Sequence, residues 1–208
     1  MNPLARKYRV RLTLTEPMLG TVPKSEKVFR DYLSDLAQKR KTELGPVDAD
    51  ALIEEEVETL GTREERGWTG FHVGGDGVPF LYDYQIKGFL KEAANVLKDM
   101  PDVKIKALKS KIDNYAYVFP RRIPLTAIEP EPLERPLRAL TMQGPRVSLV
   151  RSDVIAAGAV IVFEIHVLPF AGLTAELVET LLAFGEYKGL GQWRGGSYGR
   201  FTYELTPV

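Results

Sequence analysis

From Tyr8 to Thr15 the side chains alternate with a period of two. Tyr8, Val10, Leu12 and Leu14 fall on one side, and Arg9, Arg11, Thr13 and Thr15 on the other. Only extended backbone sends alternate residues to opposite faces, so the stretch reads as a strand with one buried face. Glu16-Pro17 ends it. Residues Lys24 to Arg40 then read as an amphipathic helix, with Val28, Tyr32 and Leu36 near helical spacing. After the break at Gly45-Pro46, Asp48 can cap a second, acidic helix through Leu60.

Further along, Phe71-His72-Val73 and Val78-Pro79-Phe80-Leu81 flank Gly74-Gly75-Asp76-Gly77, a hairpin pattern. Tyr84 to Lys98 spaces Ile86, Leu90, Ala93, Ala94 and Leu97 along one helical face. Tyr115 to Leu125 reads as a strand entering a proline-rich loop, and Pro136 to Val150 as a hairpin turning at Gln143-Gly144-Pro145. Ala159 to Leu168 is a strong strand, because Val160 to Val167 is mostly β-branched and apolar. Thr174 caps a helix running to about Phe184, and Arg200 to Leu205 closes the chain as a strand.

With inserts removed, the order is strand, helix, strands, strand, helix, strand. That order predicts an α+β protein with a ferredoxin-like (RRM-like) βαββαβ core. Residues 24–66 would be a helical insertion after the first strand. With 208 residues, 44% of them hydrophobic, the expectation is a single domain spanning 1–208 with a real core. Internal repeats, low-complexity segments and linker-like stretches are absent from the sequence. The absence of cysteine excludes a disulfide framework, thiolate metal sites and a cysteine nucleophile, and 2 His leave zinc poorly supplied. Neither a cofactor nor a metal is therefore expected. No apolar run approaches the roughly 18–20 residues that span a bilayer. The first residues lead straight into the strand pattern without a signal-peptide core. The expectation is a cytoplasmic protein with no membrane partner.

Charge is segregated although it sums to +0. From Asp48 to Arg66 eight acids face two bases, a net of −6, whereas from Lys104 to Arg151 ten bases face four acids, a net of +6. The basic stretch, with Arg121, Arg122, Arg138, Arg146 and Arg151, is either a face for a polyanion or an ordinary solvated surface.

The segment Gly185 to Phe201 holds six glycines within fifteen residues, interleaved with Lys188, Trp193, Arg194, Tyr198 and Arg200. Glycine lets backbone amides approach a phosphate closely, lysine and arginine supply counter-charge, and the aromatics can stack on bases. It has neither the Lys-Ser/Thr ending of a P-loop nor the strand-then-helix setting of a dinucleotide fingerprint. The paired Gly195 and Gly196 point to a close approach of backbone to a ligand or a neighbouring strand, the alternative being a loop that serves only as a turn.

Three segments together resemble the RAMP superfamily of CRISPR-associated proteins. Leu14-Thr15-Glu16-Pro17-Met18-Leu19-Gly20-Thr21 is similar to the end of that family's first strand. Val78-Pro79-Phe80-Leu81-Tyr82-Asp83-Tyr84-Gln85-Ile86-Lys87-Gly88-Phe89-Leu90-Lys91 is similar to its Lys-Gly helix signature. It keeps Lys87-Gly88 and the base Lys91, but has Tyr82-Asp83-Tyr84-Gln85 where the family has Pro-Gly-Ser-Ser. The run Gly189 to Arg200 matches the family's C-terminal glycine-rich loop in composition and position. The layout is closest to the branch of guide-RNA backbone subunits.

What the resemblance implies is an RNA-binding subunit of a CRISPR-type ribonucleoprotein. Its partners would be single-stranded guide RNA, further copies of itself and other effector subunits. It makes the hairpin at 136–151 a candidate thumb carrying Arg138, Arg146 and Arg151. The RNA-contacting set would also include Lys87, Lys91, Arg121, Arg122, Lys188, Gly189, Gly191, Trp193, Arg194, Gly195, Gly196, Tyr198 and Arg200. Lys87 and Lys91 share an i,i+4 edge near a helix N-terminus, where two cations repel each other and oppose the dipole. A bound phosphate would relieve both effects. The competing reading pairs Lys87 with Asp83.

Some relatives cleave RNA. His72 lies beside the predicted hairpin turn and can serve as a general acid or as a polar strand residue. His166 sits on the Glu164 side of its strand, which favours a structural role. Asp48 and Asp50 read as capping or surface acids and Asp76 as a turn residue, so no catalytic residue is assigned. Two alternatives stand beside the guide-holding subunit. One is a RAMP-type endoribonuclease that processes guide RNA without a metal. The other is a phage or mobile-element protein that imitates an effector subunit.

Overall fold

A computed structural model describes residues 4–25, 68–100, 105–129, 131–141, 144–168 and 172–208. It is a mixed α+β protein with, among the described residues, three helices and several sheets that are largely antiparallel. In chain order the first strands are β1 (Arg6–Leu14), β2 (Met18–Leu19), β3 (Val22–Pro23), β4 (Trp68–Gly70), β5 (His72–Val73) and β6 (Pro79–Tyr82). The helices α1 (Asp83–Leu97) and α2 (Leu108–Tyr115) follow, then β7 (Ala116–Phe119), β8 (Arg122–Pro124), β9 (Leu133–Thr141), β10 (Gly144–Ser152), β11 (Val154–Ile155) and β12 (Val160–Val167). Helix α3 (Ala175–Ala183), two short 3₁₀ turns at Phe184–Glu186 and Arg194–Gly196, and β13 (Phe201–Pro207) complete the chain. The two helices read from the sequence before Trp68, with Asp48 and Asp50, lie outside the described residues apart from Lys24 and Ser25.

The residues divide into two compact units. The first is Met1–Met18, Phe80–Thr126 and Ile155–Val208; the second is Leu19–Pro79 and Ala127–Val154. The first unit is built on a four-stranded antiparallel sheet in the order β13-β1-β12-β7. Its registers explain the alternation in the sequence. Val10 faces Phe163 on one side and Leu205 on the other, and Leu12 faces Ile161 and Tyr203. Ile165 and Val167 continue the covered side to Val118 and Ala116 of β7. Tyr8, Val10, Leu12, Leu14, Ile161, Phe163, Ile165 and Val167 are all buried. Arg9 and Arg11 point the other way into solvent.

Helix α1 buries Ile86, Phe89, Leu90, Ala93, Ala94 and Leu97, and sets the Phe89 ring 5.2 Å from that of Phe201 on β13. Each of the larger ones, Ile86, Phe89, Leu90 and Leu97, contributes about 1.5–3 kcal/mol on removal from water. Helix α3 buries Leu177, Val178, Leu181 and Leu182, and Thr174 caps it by accepting from Leu177 N at 3.3 Å. The sequence reading had α3 and its cap in place but passed over α2, whose eight residues bury only Leu108 and Ile112. Where Tyr115–Leu125 reads as a strand entering a proline-rich loop, the structure has two strands, β7 and β8, and β8 pairs with β6, Leu81 opposite Ile123.

The second unit holds a sheet in the order β3-β4-β10-β9. Strands β9 and β10 form a nine-residue antiparallel ladder from Gly144↔Thr141 to Ser152↔Leu133, longer than the hairpin read from the sequence. The base of this unit is polar and buried. Asp153 is 5% exposed, accepts from Trp68 Nε1 at 2.8 Å and pairs with Lys24 Nζ at 2.6 Å. A buried carboxylate survives without water because both partners satisfy it. The Gly74–Val78 turn closes as expected, with Gly74 N donating to Val78 O and Val78 N to Asp76 Oδ1.

Candidate nucleic-acid interface

Helix α1 organises the cations of the first unit. Its start is fixed twice. The Gln85 side chain accepts from Tyr82 N at 2.9 Å, and Asp83 N donates to the Arg121 carbonyl at 2.9 Å. Arg121 and Arg122 are thereby brought to the α1 N-terminus, their guanidinium groups 5.6 Å from the Tyr82 ring and 5.2 Å from the Phe80 ring respectively. Such cation–aromatic contacts hold the two guanidinium groups at that end of the helix.

Lys87 and Lys91 share one partner, Asp113 of α2. Lys91 Nζ lies 2.9 Å from Asp113 Oδ2, and Lys87 Nζ lies 3.8 Å from Oδ1 while donating to the Asp113 carbonyl at 2.6 Å. The competing sequence reading pairs Lys87 with Asp83. That carboxylate instead accepts from the backbone of Tyr84 at 2.8 Å, because a residue at the first helical turn finds free amides nearby. Burial pushes the Lys87 ammonium down from its ordinary value. Asp113 pulls it back up, and Lys91 adds to the lowering. One carboxylate shared by two cations leaves an electropositive edge on α1.

The next residue of the helix, Glu92, reaches the glycine-rich loop. Its Oε1 lies 2.6 Å from Lys188 Nζ, and its Oε2 accepts from Arg194 Nη1. Burial works to raise this carboxyl, but the hydrogen bonds from Lys188 and Arg194 and their charges outweigh it, so Glu92 lies below the usual carboxylate range. Lys87 and Glu92 are five residues apart, about 7.5 Å along a helix axis. The loop cations and the Lys-Gly edge therefore meet on one element.

The loop has a tight base and an open tip. Leu190 N donates to Gly199 O at 2.9 Å, and Gly199 N to Pro17 O at 2.8 Å. A Cβ on Gly189 would collide with the Gly199 carbonyl, and one on Gly199, at φ +70, with the Leu190 carbonyl. Gly185 is pressed against the Phe201 ring in the same way. Close approach to a ligand or a neighbouring strand is the expectation at Gly195 and Gly196. Within the chain it is found at Gly185, Gly189 and Gly199, whereas a Cβ on Gly195 would meet nothing within 4 Å, and one on Gly196 only ordinary contacts. At the tip, Trp193 and Ser197 adopt φ of 60 and 74, and Gly191 φ of 82. Side chains other than glycine pay about 1–2 kcal/mol there. Trp193 is 39% exposed, with its ring 6.0 Å from that of Tyr198. The Arg200 carbonyl accepts from Thr15 N and Glu16 N, while its Nε is buried without a hydrogen-bond partner.

Arg138, Arg146 and Arg151 belong to the second unit. Arg138 and Arg146 face each other's neighbours across the β9–β10 ladder, at Arg138↔Val147 and Arg146↔Ala139. Arg151 is committed to its own surroundings, 2.5 Å from Glu134 and over the Trp68 ring at 5.7 Å. His72 is 2% exposed, which encloses the imidazole read as a possible general acid. His166 Nε2 lies 3.0 Å from Glu164 Oε2. Glu92 and Asp113 escaped the sequence reading. Their partners in Arg194 and Lys87 stand 102 and 26 residues away, and no local spacing announces such pairs.

No protein-family model matches the chain, and no curated protein sequence matches it. Among solved structures, it is similar to a chain of the type III-B Cmr-beta complex bound to cognate target RNA, solved by cryo-EM. The TM-score is 0.53 and the identity 11%, over 98% of this chain and 61% of that one. The chain thus spans less than two thirds of the length of that relative, and the likeness is one of fold. A chain of a type IV-B CRISPR complex aligns with TM-score 0.43 and 11% identity, over 96% of this chain and 90% of its own.

Proposed function

We propose that this chain is a non-catalytic RNA-binding subunit of a CRISPR-type ribonucleoprotein, holding single-stranded guide RNA beside other effector subunits and copies of itself. The first unit supports a ferredoxin-like core. With α1 between β1 and β7, and α3 between β12 and β13, the order β13-β1-β12-β7 is in keeping with a βαββαβ pattern. The fold likeness to a chain of an RNA-bound type III-B complex points the same way. The observation that carries the reading is the convergence on α1 of two segments far apart in sequence: Lys87 and Lys91 on one side, Lys188 and Arg194 held by Glu92 on the other. Phosphates set register through such cations, and the aromatic tip at Trp193 offers a stacking plane for a base.

Fluorescence anisotropy with a single-stranded RNA tests this. Lys87→Ala is expected to weaken binding by about 1 kcal/mol or more, roughly fivefold, with little change in melting temperature. Unchanged RNA affinity together with a lowered melting temperature would instead make Lys87 a structural tie to α2.

A further inference from the structure

The side of the four-stranded sheet that alternates with its buried core carries an aromatic and basic track that the α1 edge and the loop do not account for. Tyr117 and Phe119 of β7 are 42% and 46% exposed, two large rings on alternate positions of one edge strand. Each ring is already held at one side. Tyr117 donates its hydroxyl to Asn114 O at 2.9 Å and lies 5.0 Å beneath Lys87 Nζ. Phe119 lies 4.5 Å from the His166 ring, tilted by 39°.

The register carries the track inward. Tyr117 is opposite His166 and Phe119 opposite Glu164 on β12. Lys7 and Arg9 of β1 are opposite those same residues, and Arg11 is opposite Val162. Arg9 and Arg11 are exposed, and Arg9 is 3.9 Å from Glu164, which His166 already engages at 3.0 Å. Exposed aromatic rings in water lose free energy that a flat apolar partner would recover. Cations spaced along β1, which lies beyond β12 in the sheet, select an anionic polymer with stackable rings over a purely apolar partner. Lys87 touches both the α1 edge and the Tyr117 ring, so the track is continuous with the edge on which the proposed function rests.

We infer that the open sheet face is a second binding surface for single-stranded RNA, on which bases stack against Tyr117 and Phe119 while phosphates meet the basic side chains of β1. The inference rests on the reading of the chain as an RNA binder, and the two are separable by experiment. Binding of the full-length protein to a single-stranded oligouridine and to inorganic polyphosphate is measured for the parent, for Lys87→Ala and for Tyr117→Thr/Phe119→Thr. Threonine suits an exposed strand position, and melting curves check the fold. The double variant is expected to bind oligouridine about tenfold more weakly, the loss of one to two stacked bases, and polyphosphate unchanged. Lys87→Ala should weaken both ligands.

An unchanged oligouridine affinity in the double variant overturns the inference and leaves the proposed function standing, since the face then serves a protein or solvent. A parent that binds no RNA overturns both. Should the double variant melt early, photocrosslinking of the parent to 4-thiouridine RNA decides. Adducts on the 116–119 peptide support the inference, and their absence in a sample crosslinked elsewhere defeats it.

Discussion

Glu92 shows how a single residue can set the posture of a loop. Its carboxylate holds Lys188 and Arg194 at once, and those hydrogen bonds outweigh the cost of its partial burial. The folded-state value therefore lies below that of the unfolded chain, near 4.3 for glutamate. The stabilisation is present above that unfolded value and is lost as pH falls through the lower folded one. In urea denaturation at pH 7, Glu92→Gln should cost about 1 kcal/mol. At pH 3 the gap from the parent should narrow. A gap of equal size at both pH values would mean that packing, not ionisation, supplies it. None of this was legible in advance: in the sequence Glu92 is one acid on a helix, and only the folded chain brings residue 194 to it. The loop's composition was legible, yet which of its glycines are structurally required was not, because that depends on what lies across from each one.

Among the elements, legibility followed local information. Strand β12 is within one residue of its expected bounds and β1 within two, since alternation and β-branched runs are written locally. Helix α1 was clear from its apolar stripe, and α3 from its Thr174 cap. Helix α2 was not, because eight residues with two buried side chains leave no periodic signal, and its role is to present Asp113 to α1. The cap of α3 offers a direct check. Thr174 Oγ1 accepts the Leu177 amide, one of the unpaired donors of the first turn. Thr174→Ala should lower stability by about 1 kcal/mol and Thr174→Gly by less than a helix-interior glycine would. Equilibrium unfolding measures both, and a neutral Thr174→Ala would show that the neighbouring backbone bond from Val178 N suffices alone.

At the scale of the molecule, each compact unit is assembled from separate stretches of chain. The boundaries at 18–19, 79–80 and 154–155 fall inside short strands, and only the one at 126–127 lies between strands, after β8, so linker composition does not mark the division. Net charge conceals the clustered cations in a similar way. The total is +0, and the cations of the first unit are in part matched by Asp113 and Glu92. RNA affinity should nonetheless depend steeply on salt. If about four phosphates are neutralised, log affinity falls against log salt with a slope of roughly −3. A flat titration between low and physiological salt would count against phosphate contacts as the main source of binding.

The contrast between the two ends of the glycine-rich loop has a practical side. At its base, Gly189 and Gly199 leave no room for any side chain, whereas Gly195 at the tip opens onto space and its φ lies outside the left-handed region. The chain has 0 cysteines. Gly195→Cys would therefore install a unique thiol at the tip, within the segment that includes the exposed Trp193, without disturbing the hinge on which the loop is mounted. A dye attached there turns the loop into a reporter of its own occupancy, read in real time and without labelling the nucleic acid.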